Sequence, residues 1–477
     1  MSVSTSVNTR PFDWKRFPET EKFLDRMIHL VLNGNSFCAT LSERMTQETG
    51  TRFLDWVDHL VLSDRPGLTS TLEQLGYTRD WQVRYGLSAL VFRHDGGHFP
   101  RLVVESASGP EVREVAIKVD SVAEFSRAHD LGLDIQGYAY GPYRVGRVIG
   151  SEVSLAVVER RGYRGFEAYD GEMAREGRLA PHAARDALAA RDLWAGRRRR
   201  FEDDSEGFDV TFSILERVLE LCHDSTDLAC HLVFEAERAY WESRNRAAQI
   251  QKQRQDRLGL GWSNHDHHTF RCSRKFFSQT MKLFQKLGFQ FRERFQAGDD
   301  AGWGAQILEH PTTGIVIFAD LDLATAEAGI DFSRVALQDL RQPSTIGLWV
   351  GLHGESILEA GMHHLEAQFD FAALRSQLES EFAIRTMPPF SDFPFLKQAF
   401  TEGERWTVDR RRADRLRESG SIDQAQHQKF LTEGAIGSHL ENLERREGFK
   451  GFNQHSISAI LQATDPRSGA GSLNTPQ

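Results

Sequence analysis

The stretch His265–Phe289, HDHHTFRCSRKFFSQTMKLFQKLGF, carries two different periods in succession. Over its first residues an extended chain puts His265, His267 and Thr269 on one face, and Asp266, His268 and Phe270 on the other. Arg271 shares the face of His267, four positions along. From Arg274 onward apolar residues recur at helical spacing, and Gly288 ends the run. The reading is a strand, an amphipathic helix and a glycine turn. Further strands are expected in QFRERFQ (Gln290–Gln296), GWGAQILEH (Gly302–His310) and TGIVIFADLDL (Thr313–Leu323).

Similar units are expected on both sides of this one. Upstream, FLDWVDHLVLS (Phe53–Ser63) reads as a strand, Leu68–Tyr77 as a short helix, and the runs ending at His94 and Glu105 as strands. REVAIKV (Arg113–Val119), the helix-like Ser121–Leu133 and EVSLAVVE (Glu152–Glu159) repeat the theme. Downstream, a fourth unit opens near Ile346 with IGLWVGL. It continues with a strand in LEAGMHHLEAQF, a helix in FAALRSQLESEF, a strand in PFLKQAF, a charged helical insert (Val408–Arg417) and the segment GAIGSHLENLERREGFKGF. Five regions are expected: an N-terminal helical segment (1–50), a degenerate pair of units (51–164), a helical connector (165–258), a metal-binding pair of units (259–465) and a disordered tail (466–477).

Composition narrows the function classes. With 58 Lys+Arg against 68 Asp+Glu the chain carries a net charge of −10, which disfavours nucleic acid as a partner. The run Arg197–Arg200 is followed at once by Glu202, Asp203 and Asp204 and reads as a solvated charged turn. No stretch is apolar for the roughly 18–20 residues a bilayer span needs, so no membrane partner is expected. The N-terminal residues lack the apolar core of a secretion signal, and the 4 cysteines form no CxxC pair, so a reducing, cytoplasmic address is expected. Oligomeric state is left open. No phosphate-cradling glycine loop, GxSxG elbow or HExxH helix occurs.

The 18 histidines include pairs that could hold a metal. His267 faces the same way as Thr269 and Arg271, whereas only one of His363 and His364 can point inward from a strand. Two imidazoles and one carboxylate would leave three positions of an Fe(II) ion open for a chelating substrate and O2. The bland alternative is that the paired histidines decorate strand edges, and that each glutamate is a solvated strand end. In the upstream pair, His59, Glu105 and Glu159 stand alone, with Val115-Ala116-Ile117 where a second histidine would be needed, so that pair reads as metal-free. Cys272 reads as a buried, inert thiol.

Four such units in two tandem pairs, with the DHHTFRCSRKFFSQTMKLFQKLGF pattern, resemble the vicinal oxygen chelate superfamily. The resemblance implies an α+β fold of tandem βαβββ units forming curved half-barrels, with a helical segment between the two pairs. It also implies an alternative in which each unit donates one His and one Glu, here His267, Glu309, His364 and Glu404, for redox-neutral chemistry on Zn or another divalent ion. Residues 265–455 are also similar to the 2-oxoadipate dioxygenase/decarboxylase (hydroxyglutarate synthase) family. The matching features are a histidine followed four residues later by an arginine (His267, Arg271), a histidine-leucine strand (His364-Leu365), the strand Phe395–Phe400, and GSHLENLERREG. This resemblance implies His267, His364 and Glu444 as ligands of Fe(II), with Zn, Mn or Ni as alternative ions and His363, Glu309 or Glu404 as alternative ligands. It implies Arg271 as the grip on a carboxylate of a small 2-oxo acid, with O2 as co-substrate. The chain departs from the family in placing its helical block before both histidine units, and in having Arg445 where the family has glutamine.

Overall fold

The computed structural model describes residues 14–168, 182–296, 302–327 and 329–467. Runs rich in Val, Ile, Leu and Phe pair into two sheets. In the first half β1 (Val57–Ser63), the helix Leu68–Gln74, β2 (Tyr77–Arg79), β3 (Leu90–His94) and β4 (Arg101–Glu105) form one unit. The second unit comprises β5 (Val112–Lys118), the helix Val122–Ala128, β6 (Tyr143–Val148) and β7 (Ser154–Arg160). The sheet order is β2-β3-β4-β1-β5-β7-β6. Within each unit the first and last strands run parallel, and β1 and β5 join the two units antiparallel. The second unit is one strand short of βαβββ: a single bridge, Gln136 to Val145, takes the place of the missing strand.

The second half repeats the scheme. The third unit is β8 (His265–Arg271), the helix Phe277–Lys286, β9 (Gln290–Gln296), β10 (Trp303–Glu309) and β11 (Val316–Asp322). The fourth is β12 (His364–Gln368), the helix Phe371–Phe382, β13 (Ser391–Phe393), β14 (Leu396–Phe400) and β16 (Ala435–Arg445), with β15 (Glu404–Trp406) paired to β16. The sheet order is β13-β14-β16-β12-β8-β11-β10-β9. β8 runs parallel to β11, β12 parallel to β16, and β8 antiparallel to β12.

The helix Phe277–Lys286 buries Phe277, Thr280, Met281, Leu283 and Phe284, the stripe expected from its spacing. Gly288 has φ of +93°, and a Cβ there would lie 2.8 Å from His310 Nε2, so glycine is required both for the left-handed turn and for the close approach. Phe234 of the connector helix Thr226–Glu242 packs against Phe270, Phe284 and Phe289. Each such buried ring contributes roughly 1.5–3 kcal/mol of transfer free energy.

Two expectations need correction. IGLWVGL is not the opening strand of the fourth unit but part of a helix, Thr345–His353, that buries residues on all sides. An apolar run of this length has no period that separates a buried helix from a buried strand. The Arg197–Arg200 run is not a solvated turn throughout: buried Arg197 and largely covered Arg199 converge on the buried Glu237 carboxylate, each at 2.8 Å. Trp194 Nε1 donates to the same carboxylate. Of the expected disordered tail, residues 468–477 lie outside the described residues, while Arg467 pairs with Asp465 at 2.7 Å. Among the described residues, no helix is long and apolar enough to cross a membrane.

Replacing Glu237 with Ala would leave two guanidinium groups buried without a counter-charge. Denaturant unfolding of this variant is expected to show a loss of about 3–5 kcal/mol, whereas a neutral substitution at the exposed Arg198 should change stability by less than about 0.5 kcal/mol.

Candidate metal centre

Pairing β8 with β12 sets His364 opposite Thr269, and pairing β12 with β16 sets Glu366 opposite Glu441. Because side chains alternate, His267, Thr269 and Arg271 of β8, His364 and Glu366 of β12 and Glu441 of β16 face one enclosed space. One ligand atom from each of His267, His364, Glu366 and Glu441 falls within 4.8 Å of the other three. All four residues are buried. Phe318, Phe390, Phe400 and Phe452 line the rest of this cavity of about 40 Å³, and Ile460 and Leu461 of the helix Gln454–Ala463 close it.

The electrostatics of the group call for a cation. Burial holds both imidazoles well below their usual pKa, His267 at about 4, so both are neutral and able to ligate. Burial pushes the Glu366 and Glu441 carboxyls up, and the charge of Glu441 adds to the rise at Glu366. Glu441 accepts a hydrogen bond from Gln398 Nε2 at 3.0 Å, yet its second oxygen has no hydrogen-bond partner. Glu366 Oε2 lies against His267 Nδ1 without hydrogen-bond geometry. His364 Nε2 is 3.3 Å from Glu441, 3.5 Å from Glu366 and 2.8 Å from the Thr269 hydroxyl. Two neutral nitrogens beside two crowded carboxylates make a donor set that fits a divalent ion.

Supporting contacts fix the first histidine. Asp266 takes His267 Nδ1 at 3.0 Å and both Nε and Nη2 of Arg445 at 3.0 Å, and Phe452 stands edge-on to the His267 ring at 4.9 Å. Arg445 in turn donates to the carbonyls of Phe449 and Gly451, which pins the loop that carries Phe452.

The structure brings together some of the expected residues and not others. His267, His364 and Arg271 face the same cavity. Glu444, the expected third ligand, does not join them. It is three positions from Glu441, so the pleat turns it to the opposite face of β16. There it accepts the backbone N–H of Phe371 at 3.0 Å and meets Arg446 at 3.0 Å and Arg52 at 3.4 Å. His363 is not one of the four: its Nδ1 shares a 2.8 Å hydrogen bond with His364 Nδ1, and its ring packs edge-on against Trp349. Glu309 faces Arg292 at 3.4 Å and Lys450 at 3.9 Å. Glu404 accepts the backbone N–H of Arg246. Among the described residues, the group of four includes neither Glu309 nor Glu404, and His363 touches it only as a neighbour of His364.

Glu366 and Glu441 were missed, although a sequence signal for Glu441 existed. Ser154–Phe166, SLAVVERRGYRGF, and His439–Phe452, HLENLERREGFKGF, are copies of one segment with a single insertion. Strand register aligns them: Glu114 pairs with Ser154 as His364 pairs with His439, and Val61 pairs with Glu114 as Thr269 pairs with His364. Asp58, His59, Arg160 and Phe166 then repeat Asp266, His267, Arg445 and Phe452. Asp58 takes Arg160 at 2.7 and 2.9 Å and His59 Nδ1 at 2.7 Å, and Phe166 stands edge-on to His59 at 4.8 Å. Glu159 accepts the backbone N–H of Val122, the first residue of its helix, as Glu444 accepts that of Phe371. Apart from His267, which the donor group also uses, the residues present in both halves belong to the framework. His364, Glu366, Glu441 and Arg271 are answered by Glu114, Ala116, Ala156 and Ser63, and these four differences mark the chemistry.

Two tandem pairs of strand-helix-strand units, three of them βαβββ and the second one strand short, joined through their first strands with first and last strands parallel, define the architecture. The chain has the vicinal oxygen chelate fold. No protein-family model and no curated protein matches it. Among solved structures, a mutant of 4-hydroxymandelate synthase from Streptomyces coelicolor aligns at 13% identity over 86% of this chain and 97% of that one, with a TM-score of 0.25. Methylmalonyl-CoA epimerase from Mycobacterium tuberculosis aligns at 13% identity over 39% of this chain and 89% of its own, with a TM-score of 0.22. A xylose isomerase-like TIM barrel/4-hydroxyphenylpyruvate dioxygenase fusion protein aligns at 10% identity over 89% of this chain and 56% of its own, with a TM-score of 0.22. Superpositions with such TM-scores carry no weight here, and the fold assignment rests on strand order.

Elemental analysis of purified variants checks the site. His364→Ala and Glu441→Gln are expected to lose bound metal, whereas His363→Ala should retain it. Glu444→Gln should also keep its metal while losing about 1–3 kcal/mol of stability, since it weakens a buried charge-assisted hydrogen bond.

Proposed function

We propose that the chain is a mononuclear Fe(II) dioxygenase/decarboxylase acting on a small 2-oxo acid of the 2-oxoadipate kind. The observation that carries this reading is the make-up of the donor group beside Arg271. The third unit contributes only His267 to it, and the fourth contributes His364, Glu366 and Glu441. On β11 the residues registered with His267 and Thr269 are Val316 and Phe318, with no carboxylate there to balance Glu441. Two histidines from the paired first strands and one glutamate from the last strand amount to a facial triad, with Glu366 as a protonated neighbour of Glu441. The arrangement with one His and one Glu from each unit lacks its glutamate in the third unit.

Iron held by His267, His364 and Glu441 would supply Lewis acidity and dioxygen chemistry. The chain's own residues account for the rest. Arg271 is buried, and its Nε and Nη1 make no hydrogen bond although Asp320 lies 3.5 Å away. Burial and the nearby Asp322 hold the Asp320 carboxyl up at about 7, so Asp320 is a weak competitor for the guanidinium. Arg271 is thus free to orient a substrate carboxylate by charge-assisted hydrogen bonds. Phe318, Phe390, Phe400 and Phe452 surround the reacting end with apolar surface and keep water from it. Asp266 fixes the orientation of His267, and the Thr269 hydroxyl contacts His364.

Anaerobically purified protein is expected to contain iron and to consume O2 and release CO2 when given a small 2-oxo diacid. A bound divalent ion with no substrate-dependent O2 uptake would favour redox-neutral chemistry instead. Arg271→Met should raise KM for the diacid by at least about tenfold, or 1.4 kcal/mol, with metal content unchanged. Loss of the metal in that variant would contradict its proposed role.

A further inference from the structure

A second, larger cavity of about 290 Å³ lies between the two halves, on the other side of β8 from the metal group. Lys118 at the end of β5, Arg101 at the start of β4, and His98 and His265 line it together with polar groups of Ser263 and Asn264. The acidic residues on its wall are already engaged. Asp58 is held by both Nε and Nη2 of Arg160 and by His59, Asp55 by Arg52, and Glu21 by the backbone N–H of Glu447. Lys118 makes no hydrogen bond or ion pair among the described residues. Arg101 donates to the Arg164 carbonyl and stands 3.9 Å from the occupied Asp58. Buried His265 Nδ1 has no partner, and buried Arg238, next to this group, has no carboxylate within ion-pair distance and bonds only His268.

We propose that this cavity binds a small anion bearing a phosphate or carboxylate group, gripped by Lys118 and Arg101. Lys118 has no counter-charge among the described residues, and Arg101 must share Asp58 with Arg160 and His59, so an unmatched positive charge stands at the half-buried wall of the cavity. An anion seated between the halves supplies the missing charge. The volume suits a small metabolite and excludes a polymer. Burial, together with Arg160 and Arg238, depresses the Lys118 ammonium, and burial holds Arg101 at about 10, as expected of cations awaiting a partner. This site is separate from the metal group and does not depend on the reaction proposed for it.

Calorimetric titration of the full chain with inorganic phosphate, and separately with succinate at matched ionic strength, tests the inference. At least one of the two anions is expected to bind and to raise Tm, and the one that binds more tightly identifies the charged group of the natural ligand. Lys118→Met should weaken that binding by at least about tenfold, while Lys118→Arg should preserve it. In anion-free buffer Lys118→Met should be at least as stable as the parent protein, because it removes an unpaired half-buried cation. Arg271→Met should bind the anion as the parent does. The inference is overturned if neither anion binds the parent, if Lys118→Met binds as tightly as the parent, or if Arg271→Met abolishes binding, which would place the anion in the metal cavity. Metal content, measured in the same samples, should be the same in all variants.

Discussion

The antiparallel pairing of β8 with β12 is the constraint on which the metal group depends. It brings His267 and His364, almost a hundred residues apart in the chain, to one point, and it works only in one register. A slip of one residue would turn every side chain of the strand to the other face. Two features hold the register. The last strand of each unit returns parallel beside the first, which clamps it from its second edge. The bidentate Asp266–Arg445 pair then ties β8 to the end of β16 across β12. Breaking such a buried pair leaves a charge without a partner, so the cost of misregister is electrostatic as well as hydrophobic.

The first half keeps the same clamp without the same chemistry. Asp58, His59, Arg160 and Phe166 reproduce the geometry of Asp266, His267, Arg445 and Phe452. Where the second half has Glu366 and Glu441, the first has Ala116 and Ala156, packed with Tyr143, Val145 and Val158. Glu114, standing where His364 stands, is held by Arg147 at 2.8 Å and by the Tyr85 hydroxyl. Apolar filling has taken the place of ligands while the strand clamp persists. The framework and the reactive group are therefore separable, with the framework set by strand register and helix anchoring and the group by four side chains.

Buried charge is distributed unevenly around this framework. Glu237 satisfies Arg197 and Arg199 within the connector, and Asp58 and Asp266 satisfy the paired arginines of the two sheets. Arg271 and Arg238 are buried and Lys118 is half-buried, each with little or no carboxylate compensation among the described residues. Each of these uncompensated cations lies on or next to the wall of a cavity. A structural ion pair brings its own counter-charge, whereas a binding site leaves that charge to be supplied by the ligand.

Alternation of β8 from His267 to Arg271, the amphipathic helix behind it and the repetition of strand-helix units were legible in the sequence, because periods of 2 and 3.6 are local properties. A register shift before His267 instead sets His265 beside His268, against the expected facing. So was the facing of His267 with Arg271, which follows from their even spacing on one strand. The choice of His364 over His363 came from the family resemblance, since adjacency shows only that one of the two points inward. The third ligand was misassigned because spacing within β16 fixes which glutamates share a face but not which face is turned toward β8. Glu441 and Glu444 have opposite parity, and only pairing with β12 decides between them. The internal copy of the β16 segment would have shown Glu444 to be part of the framework, since Glu159 repeats it while Ala156 answers Glu441. Glu366 carried no such mark. It lies two residues beyond His364 and becomes part of the group only through its register with Glu441. The sequence alone thus settled local periods and same-strand neighbours, and tertiary structure decided which faces converge, because convergence is set by strand register and burial between segments far apart in the chain.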